Sequence, residues 1–171
     1  MNNSYNYKEV NSYWYKEVPN NWKKTRIKFV LNQNKEVVGE QWRNLTLLTM
    51  GKLGVRPRDL NSGGKFPKSF ESYQKVKVDQ LIFCLFDMDE TPRTIGISKN
   101  EGMITSAYDI FTTSRGNFAE YWNYFFQMVD DFKGLKPFYT GLRKVVRLET
   151  FNSIEVYQPP LNEQKLIAEY L

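Results

Sequence analysis

The stretch Phe118-Ala119-Glu120-Tyr121-Trp122-Asn123-Tyr124-Phe125-Phe126-Gln127-Met128-Val129-Asp130-Asp131-Phe132 changes the period of the chain. Phe118, Tyr121, Trp122, Phe125, Val129 and Phe132 recur at the spacing of one face of an amphipathic helix. Asn117 stands where a cap would, Glu120 three residues on at the capping-box position, and Gly134 where the helix would stop. Upstream the apolar period is shorter. Val76 to Phe86, Thr94 to Ser98 and Met103 to Thr112 read as strands separated by Asp-, Pro- and Gly-containing turns. The spacing predicts an α+β chain, with a mixed β-sheet or β-meander core and one long amphipathic helix.

Further toward the N-terminus, Lys23-Lys24-Thr25-Arg26-Ile27-Lys28 alternates into Phe29-Val30-Leu31 as a strand would, and Leu45 to Met50 is another strand candidate. From Gly51 to Ser72 the apolar period vanishes under Gly, Pro, Arg, Lys and Ser, which describes a long ordered loop, and loops of that length are usually functional or disordered. Residues 1–13 read as a flexible arm. On the other side of the helix, a basic connector from Lys133 to Lys144 leads to alternation in Val145 to Leu148 and in Ile154 to Tyr157. Pro159-Pro160 ends the last strand, and Asn162 to Leu171 opens a second helix that stops mid-course. Residues 1–160 are thus expected to form one domain and residues 161–171 the start of a separate helix.

The 171 residues carry 24 Lys+Arg against 19 Asp+Glu, a net charge of +5, with 41% hydrophobic and 16% aromatic residues. That is one domain's worth of chain with enough apolar content for a core without disulfides or metals. There is no histidine, and Cys84 is the only cysteine. Zinc fingers, zinc hydrolases, Ser-His-Asp triads and Cys-His pairs are therefore excluded. Cys84, inside the apolar run Leu81 to Phe86, reads as a buried hydrophobe in a reducing compartment. The N-terminus lacks a signal-peptide layout and that run is far short of a membrane span, so the chain is expected to be cytoplasmic, with no membrane partner.

Two catalytic motifs require weighing. Leu85-Phe86-Asp87-Met88-Asp89-Glu90-Thr91 resembles the first motif of haloacid-dehalogenase-type phosphatases, in which one carboxylate attacks phosphorus, the second is acid and base, and Mg²⁺ sits between them. That chemistry sits on a parallel sheet with crossover helices, whereas residues 92 to 116 offer turns and strands. Asp130-Asp131, the candidate second acidic pair, closes a helix where charge ordinarily meets solvent. Gln158-Pro159-Pro160-Leu161 resembles the tetrapeptide of amino-methyltransferases, but Leu161 cannot stack a flipped base and no glycine-rich cofactor loop accompanies it. No cofactor or metal is expected.

The positive charge is concentrated in two segments. Lys52, Arg56, Arg58, Lys65, Lys68, Lys75 and Lys77 face only Asp59 and Glu71, and Lys133, Lys136, Arg143, Lys144 and Arg147 face no acid. Interleaved with Tyr73, Phe138 and Tyr139 and with the small donors Ser62, Ser69 and Thr140, they suit phosphate and base-edge contacts, although charge runs in loops are often merely solvated. The candidate DNA-binding residues are Lys52, Arg56, Arg58, Lys65, Lys68, Tyr139, Thr140, Arg143 and Lys144. Arg56, Arg58 and Arg143 suit bidentate guanine contacts and the lysines suit phosphates. The aromatic helix is assigned to the core.

The string Asn152-Ser153-Ile154-Glu155-Val156-Tyr157-Gln158-Pro159-Pro160-Leu161-Asn162-Glu163-Gln164-Lys165-Leu166-Ile167-Ala168 resembles the strand, Pro-Pro-Leu-x-Glu-Gln signature and helix that end a target recognition domain in type I restriction-modification specificity subunits. Val18-Pro19-Asn20-Asn21-Trp22 is similar to the family's Pro-x-x-Trp start, Val78 to Phe83 to a strand, and Gly96-Ile97-Ser98 with Glu101 to Tyr108 to its central hairpin. Phe118 to Phe132 stands where the family has its aromatic helix, and Gly141-Leu142-Arg143 to Leu148 where it has a basic loop and strand. The resemblance covers residues 14 to 171 in consistent order. It implies a target recognition domain fold followed by the start of a spacer helix. It also implies a noncatalytic module that reads one half of a bipartite double-stranded DNA site. Partners by the same resemblance are methyltransferase subunits, through them restriction and translocase subunits, and a second specificity half-subunit. The family normally has two such domains, so the chain is read as a truncated gene, a half-subunit or an excised domain. A folded remnant without function, or the Asp87/Asp89 phosphatase, are the alternatives.

Overall fold

A computed structural model of the chain describes residues 6–59 and 66–171. Its strands are β1 (Tyr7–Glu9), β2 (Glu17–Pro19), β3 (Lys23–Arg26), β4 (Leu31–Asn34), β5 (Leu48–Gly51), β6 (Gly54–Pro57), β7 (Gln74–Val76), β8 (Leu81–Phe83), β9 (Ile95–Ile97), β10 (Gly102–Ile104), β11 (Asp109–Thr113) and β12 (Glu155–Gln158). The α-helices are α1 (Ile27–Val30), α2 (Ala119–Asp131), α3 (Leu148–Ser153) and α4 (Leu161–Tyr170). The fold is α+β, with open antiparallel sheets and few helices. A four-stranded sheet in the order β4-β11-β8-β9 forms its centre, with Ile110 opposite both Asn34 and Ile82. Leu81, Ile82 and Phe83 are all buried, as suits a strand covered on both faces.

The long helix forms where the apolar period placed it, and Tyr121, Trp122, Phe125, Phe126 and Val129 are buried on its inner face. Trp122 and Phe126 join Phe83, Phe111 and Phe151 in one aromatic cluster, where Phe83 meets Phe126 edge-on at 5.1 Å and tilts against Phe151 at 5.0 Å. Three details differ from expectation. Phe132 lies beyond the helix and is 53% exposed. Asn117 does not cap the helix. Phe118 occupies that position, and the Asn117 Oδ1 accepts hydrogen bonds from Trp122 Nε1 (3.0 Å) and Gln158 Nε2 (2.8 Å). Asp130, expected in solvent, is buried, and its carboxylate accepts from Thr94 N (2.9 Å) and Thr94 Oγ1 (2.8 Å), tying the helix to the start of β9.

The strand readings need larger correction. Val76 to Phe86 breaks into β7 and β8, which belong to different sheets, with the chain turning through Asp79 at φ 63°. Met103 to Thr112 likewise splits into β10 and β11. Since β10 pairs with β7 and β11 with β8 and β4, the topology is not a simple meander. The breaks fall on polar residues that the strand readings ran through, Lys77, Asp79 and Gln80 in the first and Thr105 and Ser106 in the second. Between β3 and β4 the expected strand closes into the single turn α1, which places Ile27 and Val30 together in the core. Val145 makes only a bridge to Thr140, and Leu148 opens α3 instead of ending a strand. The first part of the expected long loop is the hairpin β5–β6. Of the flexible arm expected over residues 1–13, residues 1–5 lie outside the described residues, while Tyr7 to Glu9 pairs with β2, and the Trp14 indole beyond it donates to Gly134 O at 2.8 Å.

The two most distinctive motifs meet in space. Strand β12 pairs with β3, and Glu163 accepts hydrogen bonds from Asn21 Nδ2 and from Trp22 Nε1, the latter at 3.0 Å. Gln164 is fully buried. Its Oε1 accepts from Phe118 N (2.9 Å), while its Nε2 donates to Pro159 O (2.9 Å) and Gly116 O (3.3 Å). One side chain thereby secures the starts of α2 and α4 together.

Candidate nucleic-acid interface

The hairpin turns at Lys52 and Leu53, with Gly51 opposite Gly54, and Gly54 adopts φ +82°, a conformation that glycine takes without steric cost. The hairpin is seated on the central sheet at Gly96, where a Cβ would lie 2.9 Å from Val55 Cγ2. Below it, Leu48 and Val55 join Val76, Ile82, Ile104 and Ile110 in a second apolar cluster. Lys52 and Arg56 are exposed and form no ion pair among the described residues. Arg58 follows the hairpin, with its guanidinium 4.6 Å from the Phe66 ring centroid. Lys68 is exposed. Lys65 and Ser62 lie outside the described residues. Lys75 and Lys77, counted in the same basic segment, turn instead to Glu36 at 2.9 and 3.7 Å.

The second segment is a tight loop closed by Thr140 and Val145, whose backbones exchange hydrogen bonds at 2.8 and 3.0 Å while Thr140 Oγ1 also donates to Val145 O at 3.0 Å. Leu142, Arg143 and Lys144 stand out from it. The Arg143 Nε donates to Asp87 Oδ1 at 3.0 Å and its Nη2 to Asp87 Oδ2, while its guanidinium carbon sits 5.1 Å from the Phe86 ring centroid. The pairing holds the Asp87 carboxyl below its ordinary range and raises Arg143 further. Tyr139 faces inward, with its hydroxyl buried. Burial, and then the charges of Asp89 and Asp130, push it up to about 12. Lys133 is likewise engaged, 3.0 Å from Asp130. The aromatic residues interleaved with the charges serve packing: Tyr73 lies edge-on to Phe70 at 4.9 Å and Phe138 to Tyr13 at 4.7 Å.

Phe86 stacks on Tyr108 at 6.1 Å, and Tyr108 packs against the cluster beneath the hairpin. The bases of the two basic segments are therefore joined through two rings. Each segment also ends in an exposed leucine that charge counting passes over, Leu53 (79% exposed) beside Lys52 and Leu142 (99% exposed) beside Arg143. A leucine set among Gly, Lys and Arg in a turn was a signal available in the sequence.

The phosphatase reading fails on this geometry. The named sheets are antiparallel, no crossover helix follows β8, and the Asp87 carboxylate is occupied by Arg143. Asp130 is committed to Thr94. Among the described residues, no group of three or more acidic, cysteine or histidine side chains is placed to hold a metal ion. The Gln158-Pro159-Pro160-Leu161 string is a strand end and helix start. The Cys84 thiol is buried, and burial raises it above its usual value, which opposes reactivity. No helix among the described residues is long and apolar enough to cross a membrane.

No family model matches the chain, and no curated protein does. Solved structures do. The HsdS subunit from Thermoanaerobacter tengcongensis is similar over 90% of this chain and 37% of its own, with TM-score 0.59 and 13% identity. A chain solved in work on complex assembly and conformational transition of the type I R-M system is similar over 90% of this chain and 38% of its own, with TM-score 0.63 and 12% identity. The type I restriction-modification S subunit from M. genitalium is similar over 99% of this chain and 39% of its own, with TM-score 0.56 and 12% identity. The chain thus spans little more than a third of the length of each, and its fold is that of a specificity-subunit target recognition domain.

Proposed function

We propose that the chain is a noncatalytic, cytoplasmic DNA-recognition module of a type I restriction-modification system. It reads one half of a bipartite double-stranded site and directs methyltransferase subunits, and through them restriction subunits, to that site, with a second half-site read by another recognition domain. The observation that carries this reading is the correspondence of fold with specificity subunits over at least nine-tenths of the chain. The two basic tips supply the chemistry. Lys52, Arg56, Lys68 and Lys144 contact phosphates, Arg143 contacts a base edge, and Leu53 and Leu142 offer apolar surface to thymine methyl groups. Arg58, Lys65 and Thr140 are assigned to backbone contacts, and Tyr139 supports its loop from below.

The test is selection of the 171-residue chain on randomised duplex DNA, followed by sequencing. Enrichment of a short half-site, with affinity that falls steeply with salt, is the expected result. Binding without any enriched sequence overturns the recognition role.

A further inference from the structure

Phe86 and Asp87, left over from the motif that resembles a phosphatase, lie against the loop that carries Arg143. We propose that they hold Arg143 as a guanine-reading fork, so that the unit Phe86-Asp87-Arg143 sets specificity at one base pair. The inference rests on the DNA-recognition reading above and deepens it.

A guanidinium is planar and can offer a pair of parallel N–H groups from its side edge and another from its end edge. Asp87 takes the Nε and one Nη2 proton, which is the side edge of the fork. The remaining Nη2 proton and one Nη1 proton form the end edge, which the planar geometry directs away from that carboxylate. Nη1 makes no hydrogen bond among the described residues. An end edge offers two parallel N–H groups, the pattern that matches guanine O6 and N7 in the major groove. The Phe86 ring under the guanidinium and Tyr108 behind Phe86 restrict the plane in which the fork lies.

The unit is also fixed from its backbone. Asp87 N donates to Arg143 O at 2.6 Å, and Val146 N to Leu85 O at 2.9 Å, so the two loops are joined on either side of the ion pair. The Asp87 carbonyl in turn accepts from Thr91 N and Thr91 Oγ1, both at 2.9 Å. A long arginine side chain ordinarily loses rotamer freedom when it binds, and here that loss has been taken on folding. Charge decides between base and phosphate. An arginine already neutralised by a carboxylate gains little from a phosphate, which Asp87 also repels, whereas the neutral acceptors of guanine carry no such penalty.

The experiment compares the 171-residue wild-type chain with Asp87→Asn and Arg143→Lys in selection from randomised duplex DNA. Binding to a fixed random duplex and thermal unfolding are measured alongside. Asp87 sits at φ 49°, which asparagine tolerates, so the backbone survives the change. Arg143→Lys keeps the charge and removes the fork, and carries the test alone if Asp87→Asn does not fold. The expected result is a wild-type motif with one invariant guanine, whose enrichment falls at least about fivefold in both variants while the other positions hold. Binding of Asp87→Asn to random duplex should stay level or rise, since an acid is lost. An unchanged motif in the variants, or an even loss at all positions, overturns the inference and leaves the recognition reading intact, as does a wild-type motif without guanine. No motif from the wild-type chain overturns both.

Discussion

The hairpin Leu48 to Pro57 and the loop from Thr140 to Val145 each carry an exposed leucine beside a cation, Leu53 with Lys52 and Leu142 with Arg143, but they hold their cations differently. On the hairpin, Lys52 and Arg56 are exposed and form no ion pair among the described residues. On the loop, Arg143 is bound by Asp87 and stacked on Phe86. Unpaired cations give affinity that is indifferent to sequence, and a paired, stacked arginine gives a direction in which hydrogen bonds can be made. Their foundations differ as well. The loop rests through Val146 on the main aromatic core, the hairpin on the smaller aliphatic cluster of Leu48 and Val55.

That difference can be broken most severely at Phe151. It is fully buried against Phe83, Phe111 and Phe126, joining α3, which follows the loop, to β8, which leads into Asp87. Phe151→Ala should cost about 3–5 kcal/mol in urea denaturation. If the loop depends on that cluster as described, DNA discrimination falls even in the fraction that remains folded, whereas unaltered discrimination with full loss of stability would sever the link. A smaller effect belongs to the hairpin. Changing Lys52 and Arg56 together to Ala should weaken binding to all duplexes alike and lower the slope of log affinity against log salt by about two, leaving the selected motif in place. A motif that changes with those substitutions would assign base reading to the hairpin instead.

The smallest effect concerns the floor of the loop. Burial raises both Tyr139 and Tyr15 to about 12, and for Tyr139 the neighbouring Asp89 and Asp130 add to it. Because the ordinary value of a tyrosine is near 10, the unfolded chain ionises first as pH climbs. The folded state then holds more protons than the unfolded state, so stability declines with pH between about 10 and 12 and is unaffected below. Ultraviolet titration of the phenols with parallel denaturation curves should show Tyr139→Phe relieving part of that decline. The same slope in Tyr139→Phe as in the wild type would place Tyr139 in water.

The helix over residues 118–132 was legible because its period is local, and the segment after Pro159-Pro160 because proline and the Pro-Pro-Leu-x-Glu-Gln string are local too. The breaks at Asp79 and between Ile104 and Asp109 were not, since the polar residues there are too few to mark a turn by themselves and it is pairing in different sheets that separates the halves. In the candidate interface the cation-rich segments stood out in sequence. The commitment of Lys75 and Lys77 to Glu36 did not, because both pairs are distant along the chain. The role of Asp87 was the most misleading case. Its sequence neighbours resemble a phosphoryl-transfer motif, and its actual partner lies 56 residues away.

Composition and local pattern by themselves determined that this chain has a core, that it lacks the histidine and cysteine chemistry of most hydrolases, and that its charge gathers in two segments. They did so because those properties belong to residues or to near neighbours. Which cations remain free, which one is braced by a carboxylate and a ring, and how Glu163 and Gln164 bind the motif at one end of the domain to that at the other were decided only by the tertiary structure. Hydrogen bonds and ion pairs act over a few ångströms of space, and only folding brings their partners within that reach.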